Sequence, residues 1–144
     1  MDTWDGYKQK LRELLTSEYR TSVMNTTKWE EIKCLMGDLR LRYRVKLITD
    51  NEPLQWCSGM SHEPLGFVEA HGPVRVLEVE WMEIDSLYRV PRPYVGLDRY
   101  EDRAVELEQG LETIGAPYTY EDRIYRVWGH VPKDQYPDFI QQSR

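Results

Sequence analysis

Cys57, His62 and His71, with Glu63 and Glu69 beside them, are where thiol, imidazole and carboxylate groups gather in this sequence. Such side chains can ligate a metal. The spacing Cys-x4-His-x8-His matches none of the common zinc patterns, however, and no Cys-x2-Cys or His-x3-His pair accompanies it. Cys57 and His62 are also a nominal thiol and base, but no motif supports them, and the Gly-x-Ser-x-Gly elbow of serine hydrolases is absent. Glu78 and Glu80 stand two residues apart on one strand face, as part of a carboxylate pair for acid–base work would. Alternation places carboxylates on any solvated strand face in the same way. No glycines fall at the Gly-x-Gly-x-x-Gly spacing that cradles phosphate. The sequence therefore yields no catalytic residue, no metal site and no cofactor. A small-molecule or metal-binding enzyme using the Trp56–His71 region is the alternative reading; more simply, both histidines are loop residues among prolines and glycines.

Charge is more informative. The chain has 144 residues and a formal net charge of −6, which disfavours general binding to nucleic-acid phosphates. Residues 98–122 hold eight acids (Asp98, Glu101, Asp102, Glu106, Glu108, Glu112, Glu121, Asp122) against Arg99 and Arg103, so this segment alone carries −6. The opposite pole is Arg40, Arg42, Arg44 and Lys46, four bases in seven residues. These read either as a phosphate ladder or as cross-strand partners for an acidic face such as Glu78 and Glu80, and the net charge favours the second. Five Trp and ten Tyr against two Phe suit half-wet surfaces, because both rings carry a polar tip. Tyr88, Tyr94, Tyr118 and Tyr120 fall in or beside expected loops.

Periodicity supplies the elements that would position these residues. Tyr7, Leu11, Leu14 and Leu15 recur at helical spacing and predict a helix over 5–19, followed by a linker over 21–25. Thr27-Lys28-Trp29-Glu30 has capping-box order; Trp29, Ile32, Leu35 and Met36 form the inner stripe of a second helix, which Gly37 ends. Leu41, Tyr43, Val45 and Leu47 alternate with the four bases as a half-buried strand. Strands follow near Leu54–Cys57, Leu65–Ala70 and Val74–Ile84, the last with a phase change near Val76–Leu77 that a β-bulge would absorb. Asp98 and Glu101 read as the cap of a third helix with the stripe Tyr100, Ala104, Leu107, Leu111 and Ile114. On it Glu101, Glu108 and Glu112 form one exposed acidic row. Residues 123–131 make a last strand, with Tyr125, Val127 and Val131 on one face and Arg126, Trp128 and His130 on the other.

This order predicts an α+β fold, a curled antiparallel sheet of four to five strands with helices packed on one face and an N-terminal helical extension. Residues 1–144 read as a single domain: extension 1–22, core 26–131, C-terminal tail 132–144. No apolar run reaches the roughly eighteen residues of a membrane span, and Met1–Gly6 lacks the basic start of a secretory leader. A cytoplasmic protein is expected. Cys34 on the apolar helix face reads as a core thiol and Cys57 as unbridged.

Thr27-Lys28-Trp29-Glu30-Glu31-Ile32, Leu41-Arg42-Tyr43-Arg44-Val45-Lys46-Leu47, Val79-Glu80-Trp81-Met82-Glu83-Ile84-Asp85 and Ile124-Tyr125-Arg126-Val127-Trp128-Gly129 together resemble small bacterial domain-of-unknown-function proteins that are immunity-protein-like. The resemblance spans 26–131, leaves out the first twenty-five residues and brings no active site with it. It implies a partner: a toxin neutralised by binding. Combined with the acidic segment, it predicts a non-catalytic protein-binding module for a basic, nuclease-type toxin. Glu101, Glu108, Glu112, Tyr118, Tyr120 and Trp128 are the expected contacts. Neither nucleic acid nor membrane is expected as a partner.

Overall fold

The structure, a computed structural model, describes residues 3–60, 63–91 and 96–140, with side chains from residue 5 onward. Helix α1 (Thr3–Glu18) runs straight into strand β1 (Tyr19–Ser22), where a linker was expected. Strand β1 pairs antiparallel with β10 (His130–Pro132), so main-chain hydrogen bonds tie the N-terminal extension to the far end of the chain. Helix α2 (Thr26–Leu39) is capped by Asn25, whose side chain accepts from Lys28 N at 2.8 Å. The expected box partner Glu30 instead accepts from Gly66 N at 2.8 Å and pairs with Lys33. Gly37 does not end the helix; it continues to Leu39, and Arg40 takes the left-handed stop at φ 54°. Cys34 is exposed rather than in the core, and both cysteines are free.

Strands β2 (Tyr43–Leu47), β5 (Val79–Asp85), β9 (Ile124–Trp128) and β8 (Tyr118–Glu121) form an open antiparallel sheet in the order β2-β5-β9-β8. Trp29, Ile32 and Met36 of α2 and Leu107 and Leu111 of α3 (Ala104–Ile114) cover one face, against Tyr43, Val45, Met82, Ile84, Tyr125 and Val127. The other face carries a smaller cluster of Trp81, Trp128 and Val131, backed by Val23 and Phe139. Strand β5 is buried along its whole length because both faces are covered. Its phase change is resolved in two steps. Residues Val76–Glu78 form a 3-10 turn, not a bulge, which leaves Leu77 exposed. The register shift comes later, where Lys46 opposes Trp81 but Leu47 opposes Val79, so Glu80 is the extra residue.

Two hairpins flank the sheet: β3 (Phe67–Glu69) with β4 (Pro73–Arg75), and β6 (Leu87–Val90) with β7 (Arg99–Asp102). The second hairpin overturns the expected start of α3. Residues 99–102 pair with β6, Arg103 N donates to Ser86 O at 2.9 Å, and the helix begins at Ala104. Four ladder partners outcompete one helical turn with a side-chain cap, so Asp98 caps nothing. Strand β8 was not expected at all; its edge is closed by Ile140 N donating to Tyr118 O at 2.9 Å.

His130 stitches β10 into this frame. Its Nε2–H donates to Leu77 O at 2.7 Å, which leaves Nδ1 to accept from the Ser22 hydroxyl at 2.7 Å. Burial lowers its pKa against the opposing pull of the Leu77 carbonyl and Glu80. The unfolded chain therefore binds a proton near pH 6.5 that the folded chain resists. Stability is intact above that pH and falls as pH drops toward the lowered folded value. Chemical denaturation between about pH 7.5 and about pH 5.5 should show this decline in the wild type and a weaker one in His130→Gln; parallel curves would rule it out.

Candidate binding surfaces

The outer face of the sheet carries a ladder of ion pairs. Arg42 meets Asp85 at 2.8 Å, Arg44 and Arg126 meet Glu83 at 2.7 and 2.8 Å from either side, and Lys46 meets Glu80 at 3.0 Å. Register dictates the pairs, since Arg44 lies opposite Glu83 and Glu83 opposite Arg126. The Trp56 ring lies 5.1 Å from both Arg42 and Arg44, and Arg126 lies 4.2 Å over Trp81. Most of the basic strand face is thus committed to cross-strand carboxylates. The Glu78/Glu80 pair does not converge on a substrate position. Glu78 accepts from the Tyr7 hydroxyl, and Glu80 from Tyr19 and Lys46. Burial first, then these hydrogen bonds, push the Tyr7 phenol up to about 12 and the Tyr19 phenol higher, so both remain donors at neutral pH.

The expected acidic row is dispersed. Glu101 lies on β7, exposed and paired with Arg103 at 2.9 Å, not on α3. Glu108 accepts from the Tyr125 hydroxyl and Glu112 is half-buried near Tyr118. Tyr118 and Trp128 are buried, and the Trp128 Nε1–H donates to Thr119 Oγ1 at 3.1 Å. Tyr120 remains half exposed, its ring 4.7 Å from that of Tyr125. Strand β9 pairs with a fourth strand that the expected loop did not provide, and this covers the aromatics. Among the large apolar side chains that lie open instead, Leu97 at 87%, Tyr100 at 55% and Val105 at 62% exposure stand close together in sequence. They are interleaved with exposed Asp98, Arg99, Glu101, Asp102 and Glu106. The available signal for Leu97 and Val105 was that neither fits the helical stripe.

In the Trp56–His71 region, Cys57 forms an isolated bridge with Tyr43 at the edge of β2, and burial raises its thiol pKa, which disfavours thiolate. His71 is exposed, with Nε2 3.1 Å from Gln55 O. His62 and Tyr94 lie outside the described residues. Among the described residues no three His, Cys, Asp or Glu side chains converge as metal ligands, and no helix is long and apolar enough to cross a membrane. A larger cleft, of about 650 Å³, opens where β5 leaves the sheet for β6, between Arg40, Arg42, Asp85, Arg89, Tyr100 and Arg123.

A family model matches residues 11–134. The chain belongs to DUF6678, a family of unknown function. The DUF6678 match starts inside α1 and ends just past β10, so it takes in β1 and its partner strand, whereas the resemblance read from the sequence began only at α2. No curated protein matches the chain, and no solved structure does.

Proposed function

We propose that this DUF6678 chain is a non-catalytic module that binds a basic protein partner and, where that partner is a nuclease-type toxin, neutralises it as an immunity protein does. The supporting observation is the stretch from Leu97 to Glu106, where three exposed apolar side chains stand among four exposed acids: Asp98 and Glu101 are paired with Arg89 and Arg103, whereas Asp102 and Glu106 have no ion pair among the described residues. Apolar anchors rimmed by charge are what a protein interface needs, since the anchors hold and the charges steer. Arg44, Arg126 and Lys46 are spent on cross-strand carboxylates, which leaves the acidic stretch to steer a partner.

Affinity capture with the tagged full chain, read by mass spectrometry, should yield a basic protein. The combined substitution of Asp102→Lys and Glu106→Lys should slow its association about tenfold or more and flatten the salt dependence, while the fold melts as before. Failure to capture any basic protein, or a partner indifferent to the reversal, would sink the reading.

A further inference from the structure

At the end of the sheet the sign of the surface charge reverses. The cleft of about 650 Å³ is lined by Arg40, Arg42, Arg89 and Arg123, with Asp85 the single carboxylate among its described lining residues. Asp85 is already committed, its Oδ2 accepting from Arg42 at 2.8 Å and its Oδ1 from Leu87 N at 3.0 Å. Arg89 pairs with Asp98 at 2.9 Å on an exposed edge, where solvent leaves such a pair weak. Arg40 and Arg123 have no ion pair among the described residues.

Their backbones make the point independently. Four described non-glycine residues have positive φ: Arg40, His71, Asp122 and Arg123. Arg40, at φ 54°, occupies the helix-ending position that glycine favours. Arg123, at φ 69°, is the second residue of the two-residue turn from β8 to β9, where both central residues take positive φ and glycine again is favoured. Folding by itself selects glycine at both places. Instead two unpaired arginines arrive from different elements at one cleft that already holds two more.

We propose that this cleft binds a phosphate-bearing small molecule, with Arg40 and Arg123 as its main donors and Arg42 and Arg89 at its sides. A guanidinium fork matches two phosphate oxygens at once, which a lysine cannot do. The volume lies within the roughly 300–1,000 Å³ common to small-molecule sites. Tyr100 of β7, 55% exposed, also lines the cleft and adds an aromatic side chain to it. Two other clefts show no such sign: one mixes Arg44 and Arg126 with Glu83, Glu121 and Asp122, and another sets Glu30, Asp38 and Glu63 against Lys33.

Calorimetric titration of the full chain with pyrophosphate, with adenosine triphosphate and with citrate tests this. The two phosphate probes should bind, adenosine triphosphate more tightly, and more weakly as salt rises. Arg40→Gly and Arg123→Gly should each weaken binding about tenfold, the loss of one charge-assisted contact. Both variants should melt at or above the wild-type temperature, because glycine suits the left-handed backbone. A structural role for either arginine predicts the opposite change in melting. Three results would overturn the proposal: no heat from either phosphate probe at millimolar concentration, citrate binding as tightly as pyrophosphate, or glycine variants that bind like the wild type.

Discussion

Gly129→Ala is expected to cost about 3 kcal/mol or more and to leave part of the protein unfolded at ordinary temperature. Gly129 lies between β9 and β10, next to the bulge in β5. A Cβ there would stand 2.1 Å from Val79 O and 3.2 Å from the Trp29 ring. The carbonyl cannot retreat. Gly129 N donates to Glu80 O at 2.7 Å and Gly129 O accepts from Val23 N at 3.0 Å, so the strands on both sides are held at this spacing. Gly110 makes a useful contrast. A Cβ there would meet the Leu35 side chain at 2.5 Å, but its methyls can swing away, so Gly110→Ala should cost only about 1 kcal/mol. Urea unfolding of both variants measures the difference. Equal midpoints would mean that β5 and β10 can part without loss.

Glu83→Ala is expected to cost about 2 kcal/mol, second only to Gly129 among these changes. Glu83 is buried and takes Arg44 on one oxygen and Arg126 on the other, at 2.7 and 2.8 Å. Its removal leaves two guanidiniums facing each other across β5, stacked on Trp56, Trp81 and Trp128 and unable to separate freely. Breaking a fully buried pair costs roughly 3–5 kcal/mol. Both arginines are 32% exposed, so water relieves part of that penalty. Glu83→Gln keeps the shape and one acceptor and should cost less than the alanine. Removing Arg126 as well should recover part of the loss in a double-mutant cycle. If the alanine variant unfolds at the wild-type denaturant concentration, the ladder is only a wet face.

The two effects have different origins, and they divide what could be read from what could not. The basic run Arg42, Arg44 and Lys46 alternates with apolar residues, which implied a half-buried strand, and the net charge favoured acids as its cross-strand partners. The pairing itself needed register, which sets Arg44 opposite Glu83, and the bulge, whose extra residue Glu80 is the one Lys46 meets. The steric demand at Gly129 was invisible in sequence, since nothing local marks where two backbones approach.

Errors in the expected site also share a physical cause. Asp98 and Glu101 have the spacing of a helix cap, and as an isolated peptide that pattern favours a helix. Strand β6 offers residues 99–102 a ladder instead, and non-local hydrogen bonds outweigh a weak local preference. The shift carried Glu101 off the helix and broke the acidic row. The turn at Asp122-Arg123 was likewise missed because arginine stands where the hairpin signal calls for glycine, and with it went β8, which buries Tyr118.

By itself the sequence determined the α+β class, the inner stripe of α2, that of α3 from Ala104 on (Tyr100, counted in it, lies exposed on β7), the half-buried character of β2 and the separation of acidic and basic segments. All of these rest on periodicity and composition, which are local. Only the tertiary structure decided which charges are spent and which remain. Arg42, Arg44 and Lys46 face carboxylates across the sheet; Arg40 and Arg123, eighty-three positions apart, meet over one cleft unpaired. A charge acts on whatever lies within a few ångströms of it, and at that range neighbours are set by strand order and register rather than by position along the chain.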